Sequence, residues 1–256
     1  MKGLIYREFY LSRKSVLLML LVYVVFVLML SLVMISTYAG NLAKDPEADE
    51  MCEYLYSQMY IYAGFIAIIG VTYGHNDIIE KDYRSHWQLY SYTLPVDEKT
   101  IIKSKFFYRG ILILFGFLLA VLADAIFSIA AGKPLSVSHF KNILILLFGY
   151  GMLCMSDIPM MLRCKTQGRA AAVIMPVLIP IMAGFSYGAY KFLKFCYAEG
   201  KRLYPGMGTD VSMKKVAYSY ILPYRDAVVW ILPVLAVVAV VLCYFWAIKE
   251  MKRRRY

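Results

Sequence analysis

The stretch GFSYG at 184–188 has the residue types and spacing of a serine nucleophile motif, because it matches G-x-S-x-G. In α/β-hydrolases this motif holds the serine on a strained strand-to-helix turn, beside an oxyanion hole and a histidine base. Here it lies in an apolar stretch after two prolines, and the histidines fall in or beside connections: His75, His86 and His139. We therefore interpret Ser186 and its neighbouring glycines as small residues that let helices pack closely, and we predict no catalytic residue.

Motifs for metal-dependent hydrolysis and nucleotide binding are missing from the sequence. It has no H-E-x-x-H, and AGKP at 131–134 lacks the first glycine and the hydroxyl of the phosphate-binding loop G-x-x-x-x-G-K-[ST]. No C-x-x-C pair supports a zinc or thioredoxin-type centre among the five distant cysteines: Cys52, Cys154, Cys164, Cys196 and Cys243. We expect no enzyme activity, metal site or cofactor on this chain.

Two acidic residues, Asp124 and Asp157, lie within apolar stretches. Each is a functional candidate, because a charge in hydrocarbon costs a few kcal/mol or more. Asp157 is within about 9 Å of Arg163 along a helix, where it can be paired or hydrated. Two isolated acids without a basic partner in the spans make a poor proton relay, so a structural role stays open for both.

The chain as a whole is too apolar for a soluble domain. Of its 256 residues 61% are hydrophobic and the mean hydropathy is +0.59, whereas soluble globular domains have roughly 45–50% apolar residues. Apolar stretches of about 20 residues predict one all-α membrane domain, residues 1–256, with six spans. These lie near 17–39, 59–74, 107–131, 140–162, 170–190 and 227–247.

The basic residues orient this predicted domain. A net charge of +11 would also suit nucleic acid, but Lys and Arg beside apolar spans are what orients membrane proteins. With the N-terminus inside, 18 of the 28 Lys and Arg residues fall in inner segments. The apolar run at 16–35 exceeds the roughly 7–15 residues of a signal peptide, so we interpret it as an uncleaved span. We expect both termini in the cytoplasm, and Cys52 and Cys196 facing outside.

The connection at 190–224 fits this topology least well, because its six basic residues, and Arg225 directly after it, would lie outside. Its apolar runs, KFLKFCY and YSYILPY, are too short to cross a membrane. We interpret them as interfacial or re-entrant pieces that enter from the outer face.

Many of the 23 tyrosines lie near predicted outer ends of spans. An aromatic belt at the membrane interface would account for them. The alternative is an amphipathic wall for a two-faced substrate, because tyrosine combines a ring with a hydroxyl. On that alternative, a possible substrate path includes Tyr60, Tyr62, Asp124, Tyr187 and Tyr190.

The connection after the second span contains two amphipathic helical pieces. Ile79, Tyr83 and Trp87, spaced four apart, form one stripe of a short helix. Pro95 interrupts the segment, and Asp97 can cap a second helix that leads into the third span. The stripe suits equally a helix on the inner leaflet and a docking site for another protein.

Three segments resemble permease subunits of ABC-2-type transporters: MKGLIYREFYLSRKS at the N-terminus, TLPVDEKTIIKSKFFYRG before the third span and DIPMMLRCKTQGRA closing the fourth. More narrowly, the chain is similar to the small six-span bacterial subfamily that includes exporters of amphipathic peptides such as phenol-soluble modulins. It differs from the family pattern at Asp97, where a hydroxyl residue is usual, and at RCKTQG, where Phe-Gly is common.

This resemblance implies a coupling helix after the second span that docks in a groove of a separate ATPase subunit. The residues that fall in or beside it are Glu80, Tyr83, Trp87, Leu94 and Pro95. It also implies an amphipathic N-terminal helix along the inner surface and re-entrant segments before the last span.

The expected function is therefore that of a permease subunit, which exports amphipathic peptides across a bacterial plasma membrane. Its expected partners are two copies of an ABC ATPase, which would bind ATP and Mg²⁺, a second permease copy in a homodimer, and membrane lipid. Nucleic acid is not expected. The alternative is a secondary transporter or channel subunit without an ATPase, a class in which intramembrane charge partners and internal repeats are typical.

Overall fold

The computed structural model describes residues 2–39, 48–73, 76–87, 96–206 and 208–253. Over these ranges the regular secondary structure is helical. The helices are α1 (Lys2–Ala39), α2 (Ala48–Tyr73), α3 (Asn76–Arg84), α4 (Glu98–Ala130), α5 (Val137–Cys164), α6 (Gln167–Leu203) and α7 (Thr209–Arg253).

Six of these helices, all except α3, are long and apolar enough to cross a membrane. They overlap the six predicted spans, which confirms the all-α, six-span architecture. Most extend well beyond the predicted spans: α7 has 45 residues and is about 68 Å long at 1.5 Å per residue, whereas a span needs about 30 Å.

Helix α1 joins the N-terminal segment directly to the first span. The family resemblance implied an amphipathic N-terminal helix along the inner surface, but the N-terminal residues continue into the apolar run without interruption. The sequence contains no Gly or Pro between residues 4 and 39, so nothing breaks the helical hydrogen bonding there. The polar N-terminal turns are therefore part of a 38-residue helix.

The helices form two compact units: Met1–Lys165 with Leu232–Tyr256, called unit 1, and Thr166–Ile231, called unit 2. The grouping of residues 1–256 as one transmembrane domain stays a prediction. Within unit 1, α2 and α4 approach closely along a row of buried small residues: Ala63, Ala67, Ala120 and Ala123. Small residues allow two membrane helices to bring their backbones together.

Gly116 marks the closest approach between α2 and α4. A Cβ atom at this position would lie 2.9 Å from the carbonyl oxygen of Ala67 and 2.9 Å from the Cα of Ile68. Both are backbone atoms, so neither can rotate away. Only glycine fits at this contact.

Unit 2 is a helical hairpin of α6 and the first part of α7. A Cβ at Gly200 would lie 3.0 Å from the backbone carbon of Ser212, and the rings of Phe195 and Tyr220 meet edge to face at 5.4 Å. These rings belong to KFLKFCY and YSYILPY. The two runs are thus paired extensions of span helices, not separate short pieces.

One expectation about unit 2 is wrong and another stays a prediction. Cys196 was expected to face the outer side of the membrane; its side chain is buried, and its side of the membrane stays a prediction, while the side chain of Cys52 lies outside the described residues. The glycines of GFSYG were expected to mediate close helix packing, yet a Cβ at Gly184 or Gly188 would meet no atom within 4 Å.

Candidate coupling site

Four charged side chains from three helices of unit 1 form one cluster, which we call the charged junction: Arg7, Glu8, Asp82 and Lys105. Lys105 Nζ lies 2.9 Å from Glu8 Oε1 and 2.9 Å from Asp82 Oδ2. Arg7 donates to the carboxylates of both acids. Glu8, Asp82 and Lys105 are buried.

The junction is electrically balanced, with two acids and two bases. A buried charge is tolerated when it is paired and hydrogen-bonded, and removal of one partner leaves the other charge uncompensated. Its members come from α1 (Arg7 and Glu8), α3 (Asp82) and α4 (Lys105). Asp82 therefore attaches α3, which is too short to span the membrane, to the beginnings of two spanning helices.

An aromatic contact lies beside the junction. The Arg7 guanidinium carbon is 4.0 Å from the centre of the Trp87 ring, a cation–π geometry. Trp87 was predicted to dock on a partner protein. In the structure its ring contacts Arg7 of the N-terminal helix α1.

The buried face of α3 holds this helix against the rest of unit 1. Ile78 and Ile79 are almost completely buried, and the Tyr83 hydroxyl donates to the carbonyl of Leu162 on α5 at 2.8 Å. The opposite face exposes Lys81 and Arg84. Helix α3 is thus packed on one side and basic on the other.

The predicted docking residues divide between these faces. Tyr83 and Trp87 contact other parts of this chain, and Glu80 is partly exposed and paired with Arg84. Leu94 and Pro95 lie outside the described residues. Among the described side chains of α3, Lys81 and Arg84 are exposed. Sequence reasoning passed over them as docking residues, because the apolar stripe was taken as the docking face.

Further buried polar contacts follow along α4. The Ser12 and Tyr108 hydroxyls are hydrogen-bonded, and buried Arg109 donates to the carbonyl of Cys154. Arg109 also lies 4.0 Å from Asp157. The expectation that Asp157 lacks a basic partner in the spans is therefore wrong.

A second cluster, the histidine cluster, lies near the end of α4: Tyr60, Asp124, His139 and Asn142. His139 Nδ1 is 2.9 Å from Asp124 Oδ1, and the imidazole stacks on the Tyr60 ring with centres 3.8 Å apart. Asn142 donates to the Tyr60 hydroxyl. Asp124 also has a basic partner, which sequence reasoning missed because His139 falls beside a connection.

The residues of the predicted substrate path do not all lie together within one unit. Tyr60 and Asp124 are brought together through His139 and are buried. Tyr62 is exposed on another face of α2, and Tyr187 and Tyr190 are exposed on α6 in unit 2. Among the described residues no group of three or more His, Cys, Asp or Glu side chains is placed to hold a metal ion.

Comparison with known proteins identifies the family of this chain. A family model described as "ABC-2 family transporter protein" matches residues 51–252. No curated protein and no solved structure matched the sequence. Because the family match covers most of the chain and all helices from α2 onward, this multi-pass membrane protein belongs to the ABC-2 family as a permease.

Proposed function

We propose that this permease is the membrane subunit of an ATP-driven exporter and that the charged junction couples it to an ABC ATPase. The observation that carries the proposal is the position of Lys105 between Glu8 and Asp82, at 2.9 Å from each. Asp82 belongs to a short helix outside the spans, and Lys105 lies in the first turns of a spanning helix that begins at Glu98. A displacement of α3 therefore acts on α1 and α4 through paired charges.

The exposed face of α3 is suited to receive the ATPase. Lys81 and Arg84 present positive charge next to a helix whose other face is anchored by Ile78, Ile79 and Tyr83. An acidic groove on the ATPase would complement this face. ATP and Mg²⁺ belong to that partner, since this chain has no phosphate-binding loop.

The proposed orientation places the charged junction and both termini in the cytoplasm. The junction lies near the beginnings of α1 and α4, α7 ends at Arg253, and the sequence there is basic, KRRRY at 252–256. Basic residues at the ends of spans favour the cytoplasmic side. The cell is bacterial on this proposal, the membrane is the plasma membrane, and two permeases form a homodimer with two ATPases.

The proposed substrates are amphipathic peptides. Tyr62, Tyr187 and Tyr190 are exposed, and each offers an apolar ring and a polar hydroxyl. The resemblance to the small six-span subfamily supports the same class. No ionic substrate is proposed, because the buried charges described here are paired within the chain.

A second candidate function is secondary transport without an ATPase, and the histidine cluster favours it. A buried His–Asp pair inside a membrane domain is a feature of proton relays. The two functions differ in their energy source, ATP or an ion gradient.

The experiment uses the permease co-reconstituted with its ATPase in vesicles, with Asp82→Asn as the variant and the exposed Asp97→Asn as control. We expect Asp82→Asn to reduce peptide-stimulated ATP hydrolysis strongly while the ATPase still copurifies, because docking is kept and transmission is lost. Asp82→Glu should restore part of the stimulation. Full stimulation in Asp82→Asn would contradict the coupling role.

The substrate and the energy source are tested in the same vesicles. Stimulation by amphipathic helical peptides, and none by sugars, is the expected result. Stimulation by polysaccharide alone would contradict the peptide assignment and leave the permease assignment intact. Peptide movement driven by a proton gradient without ATP would favour the secondary transporter.

A further inference from the structure

Unit 1 contains an apolar cleft between α4, α5 and the last part of α7, which we call the α4–α7 cleft. It consists of two adjoining cavities of about 580 and 350 Å³. Gly110, Leu114, Val240 and Val241 line both of them, so the cavities lie side by side. Both volumes lie within the roughly 300–1,000 Å³ of ordinary ligand sites.

The cleft is apolar along its length and basic at one end. Its larger cavity is lined by Lys103, Phe106 and Tyr244, and among the residues that the structure describes Lys103 is the one charged residue in either lining. Lys103 is exposed and lies two residues before Lys105, at the end of unit 1 that holds the charged junction. On α7, exposed Lys249 and Lys252 follow Tyr244 toward the same end.

We propose that the α4–α7 cleft binds one acidic glycerophospholipid, with its acyl chains in the two cavities and its phosphate at Lys103. A basic pocket between membrane helices, at the level of the headgroups, recognises anionic lipid headgroups. Gly110 lines both cavities, and a Cβ atom added there would lie 3.8 Å from the Cε atom of Met155, which lines the smaller one. This site goes beyond the proposed export function and does not depend on it.

Charge favours a lipid over a second copy of the chain in this cleft. Two permeases inserted in the same direction and related by a twofold axis would bring their basic ends to the same depth. Lys103 would then meet positive charge from the partner. An acidic lipid meets Lys103 with a negative phosphate and fills the cleft with hydrocarbon.

The test is photolabelling of the full chain in phosphatidylcholine vesicles that contain a trace of photoactivatable phosphatidylglycerol. The same acyl probe on phosphatidylcholine serves as the zwitterionic comparison. We expect labelled peptides from α4 and the last part of α7 with phosphatidylglycerol, and several-fold weaker labelling with phosphatidylcholine. Equal labelling by both lipids would contradict the role of Lys103.

Two variants separate the headgroup from the cavity. Lys103→Gln should weaken the phosphatidylglycerol labelling about fivefold, the effect of one lysine near a membrane surface, whereas Lys14→Gln, an exposed basic residue on α1, should not. Gly110→Leu keeps every charge but fills the shared part of the cleft, and should remove the label. Gly70→Leu, on α2 with open space around it, is its control.

A further outcome would assign the cleft to another occupant. If Leu114→Cys forms disulfide-linked dimers in the membrane, the α4–α7 cleft is an interface between permeases. The lipid proposal is then wrong. Labelling that persists undiminished in Gly110→Leu would overturn it as well.

Discussion

The charged junction and the histidine cluster lie toward opposite ends of α4 and are built from different chemistry. Lys105 and Asp124 are 19 positions apart, about 28 Å along the helix, close to the thickness of the hydrocarbon core. The junction uses four full charges and includes Asp82 from α3. The histidine cluster pairs one carboxylate with an imidazole among neutral groups of spanning helices.

The charged junction connects the spans to the short helix α3, whereas the histidine cluster holds three spanning helices together. At the junction, α3 is bound through charge, so its position is transmitted to α1 and α4 by strong, directional contacts. At the other end α2, α4 and α5 are bound to one another by ring stacking and hydrogen bonds. The first site suits transmission of movement, and the second suits a fixed packing of helices.

The largest expected effect is at the junction. Lys105→Met should reduce the free energy of unfolding by about 3–5 kcal/mol, because it removes the buried cation between Glu8 and Asp82 and leaves the junction with one base, Arg7, against two buried acids. The measurement is unfolding by dodecyl sulfate in mixed micelles. Lys99→Met, an exposed lysine on the same helix, is the control and should change little. Equal stability of the two variants would show that the junction is hydrated and not transmitting force.

An intermediate effect is expected at the histidine cluster. Asp124→Asn keeps the shape of the side chain but removes the charge that faces His139, and should cost about 1–3 kcal/mol in the same assay. Asp157→Asn should cost less, because Asp157 is 4.0 Å from Arg109 and its side chain is 36% exposed. If Asp157→Asn lost more stability than Asp124→Asn, the pair of Arg109 and Asp157, and not the histidine cluster, would be the stronger contact between the spans.

The smallest effect is expected at Trp87. Trp87→Leu should reduce the stability of the permease alone by about 0.5–1 kcal/mol, through loss of the contact with Arg7. Trp230→Leu, at an 80% exposed position in unit 2, provides a matched control. If Trp87→Leu leaves the isolated permease unchanged but prevents copurification of the ATPase, the ring serves docking alone.

The six spans could be predicted because each is a long apolar run, a pattern that needs no knowledge of tertiary contacts. The partners of the buried charges could not. Glu8 is 97 residues from Lys105, and His139 is 15 residues from Asp124 across a turn, so periodicity along one helix does not bring them together. The sequence shows that charged residues of both signs lie beside the spans, but it does not show which of them form ion pairs.

The helical hairpin of unit 2 was missed for a related reason. Its apolar runs were judged by length alone and set apart from the spans, although no proline or glycine separates KFLKFCY from the helix before it. Continuity of helical residues was the available signal. The pairing of Phe195 with Tyr220 depends on a turn whose geometry sequence spacing does not specify.

The backbone contact at Gly116 makes α2 and α4 a stiff pair. Side chains between two helices can change rotamer and let the helices slide, but a carbonyl oxygen opposite a glycine Cα leaves no such freedom. A displacement of α4 at Lys105 should therefore move α2 together with it. In hydrogen exchange the two helices should open together, as one cooperative unit, and not one at a time.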